Sequence, residues 1–373
     1  MKATSQTLMG MDRTEIGSLI AAEGEASFRT QQLLEGIYRH RVESIAEIST
    51  LPQLFRVRLE ENGLSIGTPK IERKFVSSDG TIRYLIEFSD GQSVETVWMP
   101  TGDGGETGDG SEAGDSEQRG TPERATICVS SQVGCAVDCQ FCLTASLGVK
   151  RNLTAGEIVG QVSAVLKHRK VFPPEDRINL VFMGMGEPFL NYDNFMKAVR
   201  LLVEEVGLAE SRMTVSTAGI VPRIYDFGME KIRPKLAISL NASNDELRTR
   251  LMPLNRKWNL EKLMAAARDF PLRNRERITF EYVLLNGVND ARDNAVEVVD
   301  LIRPMRAKVN LIALNPGPGI DFATPAEERV LAFQQILIKA GIPAFLRRPR
   351  GRDIYAACGQ LKRTVEIATA PAG

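Results

Sequence analysis

The pattern of apolar positions changes twice in the first hundred residues and then disappears. Residues 24–60 carry apolar residues at near-helical spacing, which predicts helices. Residues 69–99 change to period two and contain Asp-Gly pairs at 79–80 and 90–91, which predict a three-stranded meander with hairpin turns. Residues 101–120 contain seven glycines, six acidic residues and no large apolar side chain, so we expect a disordered linker.

After residue 124 the pattern becomes regular, because short apolar, β-branched runs alternate with helical stretches. The runs are 125–130, 178–183, 212–217, 235–240, 277–285, 307–314 and 343–346. Such alternation predicts a parallel sheet with right-handed crossovers. Six or seven units are too few for a full eightfold barrel, so we expect an incomplete (β/α) barrel, with an open doubly wound sheet as the alternative. Either architecture places the active site at the carboxyl ends of the strands.

Two helices of this region have predicted starting points. Thr154 followed by Glu157 forms a capping-box pattern, and Thr324 followed by Glu327 forms another. In the second pattern Pro325 would occupy the first helical position.

The composition is that of an ordinary globular protein, and 373 residues suggest one large domain with a smaller one. The 47 basic and 47 acidic residues balance, so net charge does not indicate nucleic acid. Arginines do cluster locally, with four of them within residues 347–352. No run of 18 apolar residues and no signal-peptide core is present, so we expect a cytoplasmic protein that does not bind membranes.

Three of the five cysteines crowd into eight residues. Cys135, Cys139 and Cys142 follow the first run of the alternating region with the spacing C-x3-C-x2-C. Thiolates this close in sequence are typical ligands of a soft metal centre. Three ligands leave one iron of an iron–sulfur cluster open, as a cluster with a catalytic ligand requires.

A structural zinc site is the alternative. It needs four ligands, and the two histidines of the chain, His40 and His168, are not placed to supply one. The fourth ligand would have to be Cys128 or Asp138.

The C-x3-C-x2-C motif resembles the signature of radical S-adenosylmethionine (SAM) enzymes. Several further motifs, in the same order along the chain, resemble the RlmN family of RNA adenine-C2 methyltransferases within that superfamily. They are CVSSQVGCAVDCQFC (128–142), GMGEP (184–188), AISLNASND (237–245), LNPGPG (314–319) and RGRDIYAACGQL (351–362). The resemblance extends through residues 124–362 and, more loosely, through the N-terminal part.

The resemblance implies an α/β fold, namely a partial (β/α)6 barrel of the radical SAM type with a small N-terminal helical domain and a β-meander. We expect an accessory RNA-binding domain at 1–62, the meander at 63–100, the linker at 101–120 and the catalytic barrel at 121–373. The implied cofactors are a 4Fe–4S cluster and two SAM molecules per turnover.

The two cysteines outside the triad match the reacting thiols of the family. By resemblance, Cys358 takes a methyl group from one SAM, and the radical from a second SAM removes hydrogen from that S-methyl group. The carbon radical then adds to C2 of adenine, and Cys128 resolves the protein–RNA adduct through a transient disulfide. Glu95 matches the proposed proton acceptor, although its strand position alone predicts an outward-facing carboxylate. The nearby arginines favour a lowered pKa of the Cys358 thiol.

Six further residues match positions that hold SAM in the family. They are Gly186, Glu187, Ser216, Ser239, Asn241 and Asn315. Glu187 would pair with the SAM ammonium group, and Gly186 would let backbone approach a ligand closely. Asn241 departs from the histidine that the family has there, and an asparagine side chain cannot titrate.

The resemblance therefore implies methylation of C2 of adenosine in 23S rRNA, at the peptidyl-transferase centre, and in the anticodon loop of tRNA. We expect a monomer that receives electrons from a flavodoxin or ferredoxin. The alternatives are a C8-adenine rRNA methyltransferase of the Cfr type, a zinc-stapled RNA-binding module, and a radical SAM enzyme with another substrate.

Overall fold

The computed structural model describes residues 6–100 and 124–361. The strands are β1 (Gln6–Thr7), β2 (Leu64–Ser65), β3 (Lys70–Val76), β4 (Ile82–Glu87), β5 (Ser93–Pro100), β6 (Arg124–Cys128), β7 (Gln132–Gly134), β8 (Val149–Asn152), β9 (Arg177–Phe182), β10 (Met213–Thr217), β11 (Lys235–Ser239), β12 (Ile278–Leu284), β13 (Ala307–Ala313) and β14 (Ala344–Leu346). The helices are α1 (Arg13–Ala22), α2 (Arg29–Leu34), α3 (Gln53–Glu61), α4 (Ala155–Arg169), α5 (Tyr192–Glu204), α6 (Val221–Gly228), α7 (Asp245–Leu251), α8 (Leu260–Asp269), α9 (Arg292–Ile302) and α10 (Glu327–Lys339). The predicted linker at 101–120 lies outside the described residues.

The central feature is one ten-stranded sheet with the order β14-β13-β12-β11-β10-β9-β6-β5-β4-β3. From β6 to β14 all neighbouring strands are parallel, and they lie side by side in the order in which they occur along the chain. A doubly wound sheet would reverse its strand order at a switch point, and no reversal occurs among these strands. The predicted incomplete barrel is therefore confirmed, with six main strands and the short β14.

The meander continues the same sheet. Strands β3, β4 and β5 are antiparallel, and β5 pairs antiparallel with β6 from Val97↔Cys128 to Pro100↔Ala125. Gly80 and Gly91 have φ angles of 80° and 75°, which explains the predicted Asp-Gly turns.

The N-terminal helices differ from the predicted stretch at 24–60. The first helix, α1, begins earlier than expected, because Asp12 and Glu15 form a capping box that the apolar pattern did not reveal. Beyond it the chain breaks into α2, a π-helical turn at Glu35–Arg39 and α3, which starts after Pro52. The helical segment formed by α2 and the π-helical turn ends near Arg41, whose backbone φ is 51°.

One of the two predicted helix starts is confirmed and the other is wrong. The Thr154 side chain accepts a hydrogen bond from the backbone N–H of Glu157, as predicted. The Thr324 hydroxyl instead donates to the Leu314 carbonyl at 2.9 Å, and α10 begins at Glu327 with Ala326 as its N-cap. The Thr324 side chain therefore forms a contact within the loop and does not cap α10.

The described helices include none that is both long and apolar enough to cross a membrane.

Candidate active site

The three spaced cysteines lie in the loop between β7 and β8, within the connection that follows the carboxyl end of β6, where catalytic loops were expected. The loop is tightly packed at its base, since a Cβ atom on Gly134 would lie 1.8 Å from the Gly148 carbonyl oxygen. Cys135, Cys139 and Cys142 are half-buried and line one cavity of about 980 Å³, here called the cluster cavity.

The three cysteines share this cavity. Across residues 6–100 and 124–361, no group of three or more His, Cys, Asp or Glu side chains is arranged to hold a single metal ion. A zinc site needs such a group, with four ligands around one ion, whereas a cluster distributes its thiolates over several irons. Neither Cys128 nor Asp138, the two suggested fourth zinc ligands, lines the cluster cavity. The suggested four-ligand zinc site is therefore not assembled among residues 6–100 and 124–361.

Burial disfavours the anionic form of Cys135 and Cys139. Burial raises the pKa of Cys135 to about 12 and raises the pKa of Cys139 well above its ordinary value. Such thiols are neutral at physiological pH unless a cation stabilises their anionic form, and the thiolate is the form that binds metal. The Arg248 guanidinium supplies a small part of that stabilisation at Cys139.

Glu187 and Gly186 form the turn after β9 and line the cluster cavity. The Glu187 carboxylate accepts hydrogen bonds from the backbone N–H groups of Phe189, at 3.0 Å, and Ala218, at 2.7 Å. Burial nevertheless raises the pKa of Glu187 to about 7, so a cation in the cavity would favour its ionised form. Gly186 has φ of 96°, and a Cβ there would meet Gln132 at 2.5 Å. The close approach that requires this glycine is thus to the protein's own chain.

The other predicted SAM positions meet in the same cavity. Ser216, Ser239, Asn241 and Asn315 all line it, and the hydroxyls of Ser216 and Ser239 are 3.2 Å apart. Asn241 has φ of 57°, a conformation in which asparagine and histidine are both enriched. Its side-chain oxygen accepts a hydrogen bond from the Val283 N–H at 2.9 Å. The backbone conformation thus gives a physical reason why asparagine can replace histidine here.

Arg248, on α7, was missed by sequence reasoning. Its side chain is fully buried and donates to three backbone carbonyls at strand ends, two of which belong to residues that line the cluster cavity. The acceptors are Ala218 at 2.7 Å, Ser239 at 3.1 Å and Leu240 at 3.1 Å. Burial lowers the pKa of Arg248 to about 10. No sequence signal distinguishes it from Arg250, two residues later on the same helix.

A second cavity, of about 1190 Å³, adjoins the first and is here called the gap cavity. It lies between the two edges of the parallel part of the sheet, because residues after β14 and residues of β5 and β6 both line it. Cys128 lines the gap cavity, and Cys142 and Cys358 line both cavities. Cys358 therefore lies where the cluster cavity opens towards Cys128.

The two outer cysteines are in different environments. Cys128 is buried, and burial together with the nearby Cys358 raises its thiol pKa. The Cys358 residue is exposed, and desolvation of its thiol by the surrounding protein raises the thiol pKa. Arg347 opposes that increase only in part. Arg347 thus acts on the pKa of the Cys358 thiol in the expected direction, but desolvation has the larger effect and the net shift is upward.

The segment that carries Cys358 is attached on both sides. Before the cysteine, Asp353 accepts hydrogen bonds from the Ser77 hydroxyl at 2.6 Å and the Ser78 N–H at 3.2 Å, while the Gly351 N–H donates to Asp79 at 2.9 Å. We call these bonds the turn-to-loop contact, since they join the β3–β4 turn to the loop.

After Cys358, the segment is held by the loop that carries Cys135, Cys139 and Cys142. The Leu143 N–H donates to the Gly359 carbonyl at 2.8 Å, and the Thr144 hydroxyl donates to the Leu361 carbonyl at 2.7 Å. The position of Cys358 is thus determined by segments on either side of it.

Glu95 lines neither cavity. It is completely buried on β5, and its carboxylate pairs with Arg83 of β4. Its backbone carbonyl accepts a hydrogen bond from the Ser130 hydroxyl at 2.6 Å. The outward-facing carboxylate predicted from the strand pattern alone is wrong, because the meander is covered on both faces at this position.

Comparison with known proteins identifies the family of this chain. Residues 129–299 match the family model of the radical SAM superfamily, and residues 6–64 match that of the ribosomal RNA large subunit methyltransferase N-terminal domain. The chain is 67% identical over 341 residues to the probable dual-specificity RNA methyltransferase RlmN of Koribacter versatilis, covering 91% of this chain and 97% of that protein. The chain belongs to the RlmN family.

Other members of the RlmN family and a solved structure give the same result. The dual-specificity RNA methyltransferase RlmN of Syntrophobacter fumaroxidans is 46% identical, with 93% of this chain and 95% of the relative covered. The crystal structure of a radical SAM methyltransferase from Sphaerobacter thermophilus is 41% identical and superposes with a TM-score of 0.85, covering 96% of this chain and 100% of that one. The chain is thus an RNA methyltransferase of the radical SAM superfamily, whose members use a 4Fe–4S cluster and SAM.

Proposed function

We propose that this enzyme methylates C2 of adenosine in 23S rRNA and in tRNA, with Cys358 as the methyl carrier and Cys128 as the resolving thiol. One observation carries the proposal, namely that Cys358 lies at the junction of the two cavities while Cys128 faces it from the gap cavity. The substrates follow from the names of the RlmN relatives and from the chemistry described below.

The chemistry of the target explains why a cysteine carrier is needed. C2 of adenine is an electron-poor carbon and does not attack the methyl group of SAM directly. In the proposed sequence the Cys358 thiolate first takes a methyl group, which forms a carbon–sulfur bond and releases S-adenosylhomocysteine. The cluster and a second SAM, when bound, supply a one-electron oxidant that removes a hydrogen atom from that methyl group.

The remaining steps belong to the two thiols and the base. The methylene carbon on Cys358 bonds to C2, and the radical adduct then loses the C2 proton together with one electron, which the bound cluster would take back. Cys128 then attacks the Cys358 sulfur, so that the carbon–sulfur bond breaks, a disulfide forms and the new methyl group takes up a proton. The position of both thiols along one cavity supports this exchange.

The cofactor positions follow from the cavity lining. We propose that Cys135, Cys139 and Cys142 hold the cluster and that Gly186, Glu187, Ser216, Ser239, Asn241 and Asn315 surround SAM. Glu187 would hold the SAM ammonium group, since a buried carboxylate with a raised pKa gains most from a neighbouring cation. Two SAM molecules are consumed per turnover in this scheme.

Recognition of RNA is proposed to begin at the rim of the gap cavity. Arg347, Arg348 and Arg350 line this cavity beside Cys358, and arginines are well suited to phosphate binding. The target adenosine must leave its stack, or be presented in an unpaired loop, to reach a thiol at this depth. We further propose that the enzyme is a cytoplasmic monomer that receives electrons from a flavodoxin or ferredoxin.

Alanine substitutions of the two thiols test the proposal. Cys358→Ala should retain its iron content but give no S-methylated peptide and no 2-methyladenosine. Cys128→Ala should still become methylated at Cys358, and it should then remain covalently attached to RNA, because nothing resolves the adduct. Intact-protein and nucleoside mass spectrometry distinguish these products. Formation of 2-methyladenosine by Cys358→Ala would refute the carrier role, and formation of 8-methyladenosine by the wild type would refute the C2 assignment.

A further inference from the structure

Two polar side chains of the gap cavity have no role in the chemistry described so far. Thr126 lies on β6 and Asn179 on β9, and the two are direct partners in the parallel pairing of these strands. Both line the gap cavity together with Cys128. Thr126 precedes Cys128 by two residues on the same face of β6, which corresponds to about 6.6 Å along the strand.

Neither side chain is used by the protein itself. Among residues 6–100 and 124–361, no side-chain hydrogen bond is formed by Thr126 or Asn179. Thr126 is 8% exposed and Asn179 is half-buried, so both are partly removed from bulk water. Neither residue is among those with a fully buried, unpaired polar atom, and both line the gap cavity, so a pair of unused polar groups on neighbouring strands beside a reactive thiol is a candidate ligand-reading site.

We propose that Asn179, assisted by Thr126, reads the Watson–Crick edge of the target adenine. An asparagine amide matches adenine in a bidentate way, because its oxygen accepts from the N6 amino group while its NH2 group donates to a ring nitrogen. Thr126 offers one further hydroxyl to the same edge. The inference rests on the proposed function, since it concerns how the base is held beside the two cysteines.

The edge that is read determines which carbon reacts. C2 is bonded to N1, so a base held through N6 and N1 presents C2 near the contact. C8 is bonded to N7, so a base held through N6 and N7 would present C8 instead. An amide contact to N1 and N6, a short distance along the strand from Cys128, would therefore select C2.

The experiment combines protein and RNA changes. Anticodon-arm RNA is prepared with adenosine, purine riboside, which lacks the N6 amino group, or 7-deazaadenosine at the target position. Asn179→Ala should lower kcat/KM on the adenosine RNA by about 5- to 150-fold, the factor expected for one bidentate base contact. Purine riboside should cost the wild type a similar factor and cost Asn179→Ala much less, because the contact is already lost. The 7-deaza RNA should react with the wild type as adenosine RNA does.

Methylation of Cys358 in the absence of RNA is the internal control, and it should be unchanged in Asn179→Ala, because the variant still folds and binds both cofactors. Thr126→Val, which keeps the side-chain shape, should lose less than Asn179→Ala. If the wild type is active and kcat/KM of Asn179→Ala on adenosine RNA stays within twofold of the wild-type value, this inference alone is overturned. It is likewise overturned if the wild type loses activity only on the 7-deaza RNA. Absence of 2-methyladenosine from the wild type on adenosine RNA would overturn the proposed function as well.

Discussion

Replacement of Arg248 by lysine should weaken both the fold and the SAM site. The guanidinium of Arg248 donates to the carbonyls of Ala218, Ser239 and Leu240 and to the side chain of Asn255. These carbonyls lie at the ends of β10 and β11, the strands that carry Ser216 and Ser239 into the cluster cavity. Lysine has one nitrogen and cannot reach acceptors arranged around a planar fork.

The magnitude follows from the hydrogen bonds that are lost. Each buried acceptor left without a donor costs about 1–3 kcal/mol. If lysine satisfies one of the three carbonyls and leaves the other two without this donor, the free energy of unfolding should fall by about 2–6 kcal/mol. The loosened strand ends should also weaken SAM binding by about tenfold, which corresponds to ~1.4 kcal/mol.

Urea unfolding and calorimetric SAM titration of the reconstituted enzyme measure these two effects. Arg233→Lys is the matched control, because Arg233 is also buried but pairs with Glu276 and the Pro271 carbonyl, away from both cavities. The control should lose stability and keep its affinity for SAM. Wild-type stability in Arg248→Lys would refute the energetic argument, and an equal loss of SAM affinity in both variants would refute the role of Arg248 at the site.

Three further predictions concern residues outside the cofactor site. Asp353→Asn should weaken the turn-to-loop contact, so that trypsin cleaves after Arg350 severalfold faster and Cys358 methylation slows. Substitution of the exposed Asp226 by asparagine should change neither rate, and equal cleavage of the two variants would contradict the role of the contact. Burial, with smaller contributions from Lys74 and Arg169, lowers the pKa of His168 from its ordinary 6.5. The unfolded chain therefore takes up a proton first as the pH falls below 6.5, and stability present above that pH should be lost below it; the same pH dependence of urea unfolding in His168→Gln would disprove this. If Glu95 is the proton acceptor, its carboxylate must leave Arg83, and Glu95→Gln should slow RNA methylation by at least about 100-fold without affecting Cys358 methylation; an unchanged RNA rate would restrict Glu95 to a structural role.

The parts of the fold that could be predicted are those encoded by local patterns. The β-branched runs after residue 124 and the Asp-Gly turns of the meander each depend on residues close in sequence, and the structure contains them. The sequential strand order then follows from general rules of parallel sheets. The position of the cysteine loop at a strand's carboxyl end is a consequence of the same rules.

The parts that could not be predicted depend on distant contacts. The predicted Thr324 cap does not form, because the Thr324 hydroxyl donates to the Leu314 carbonyl instead. The net increase in the pKa of Cys358 comes from desolvation, which no local motif records. The bond between Asp79 and Gly351 joins residues 272 positions apart. Arg248 has no motif of its own, and its importance became visible only from the three carbonyls around it.

The central claim, that the methyl group reaches C2 through Cys358, can be tested with SAM whose methyl group carries three deuterium atoms. The account predicts 2-methyladenosine with two deuterium atoms in its new methyl group, because one is removed while the group is attached to Cys358 and a proton replaces it at release. Mass spectrometry of the nucleosides from a single-turnover reaction gives the answer directly. A product that retains all three deuterium atoms, or that carries the label at C8, would contradict the account.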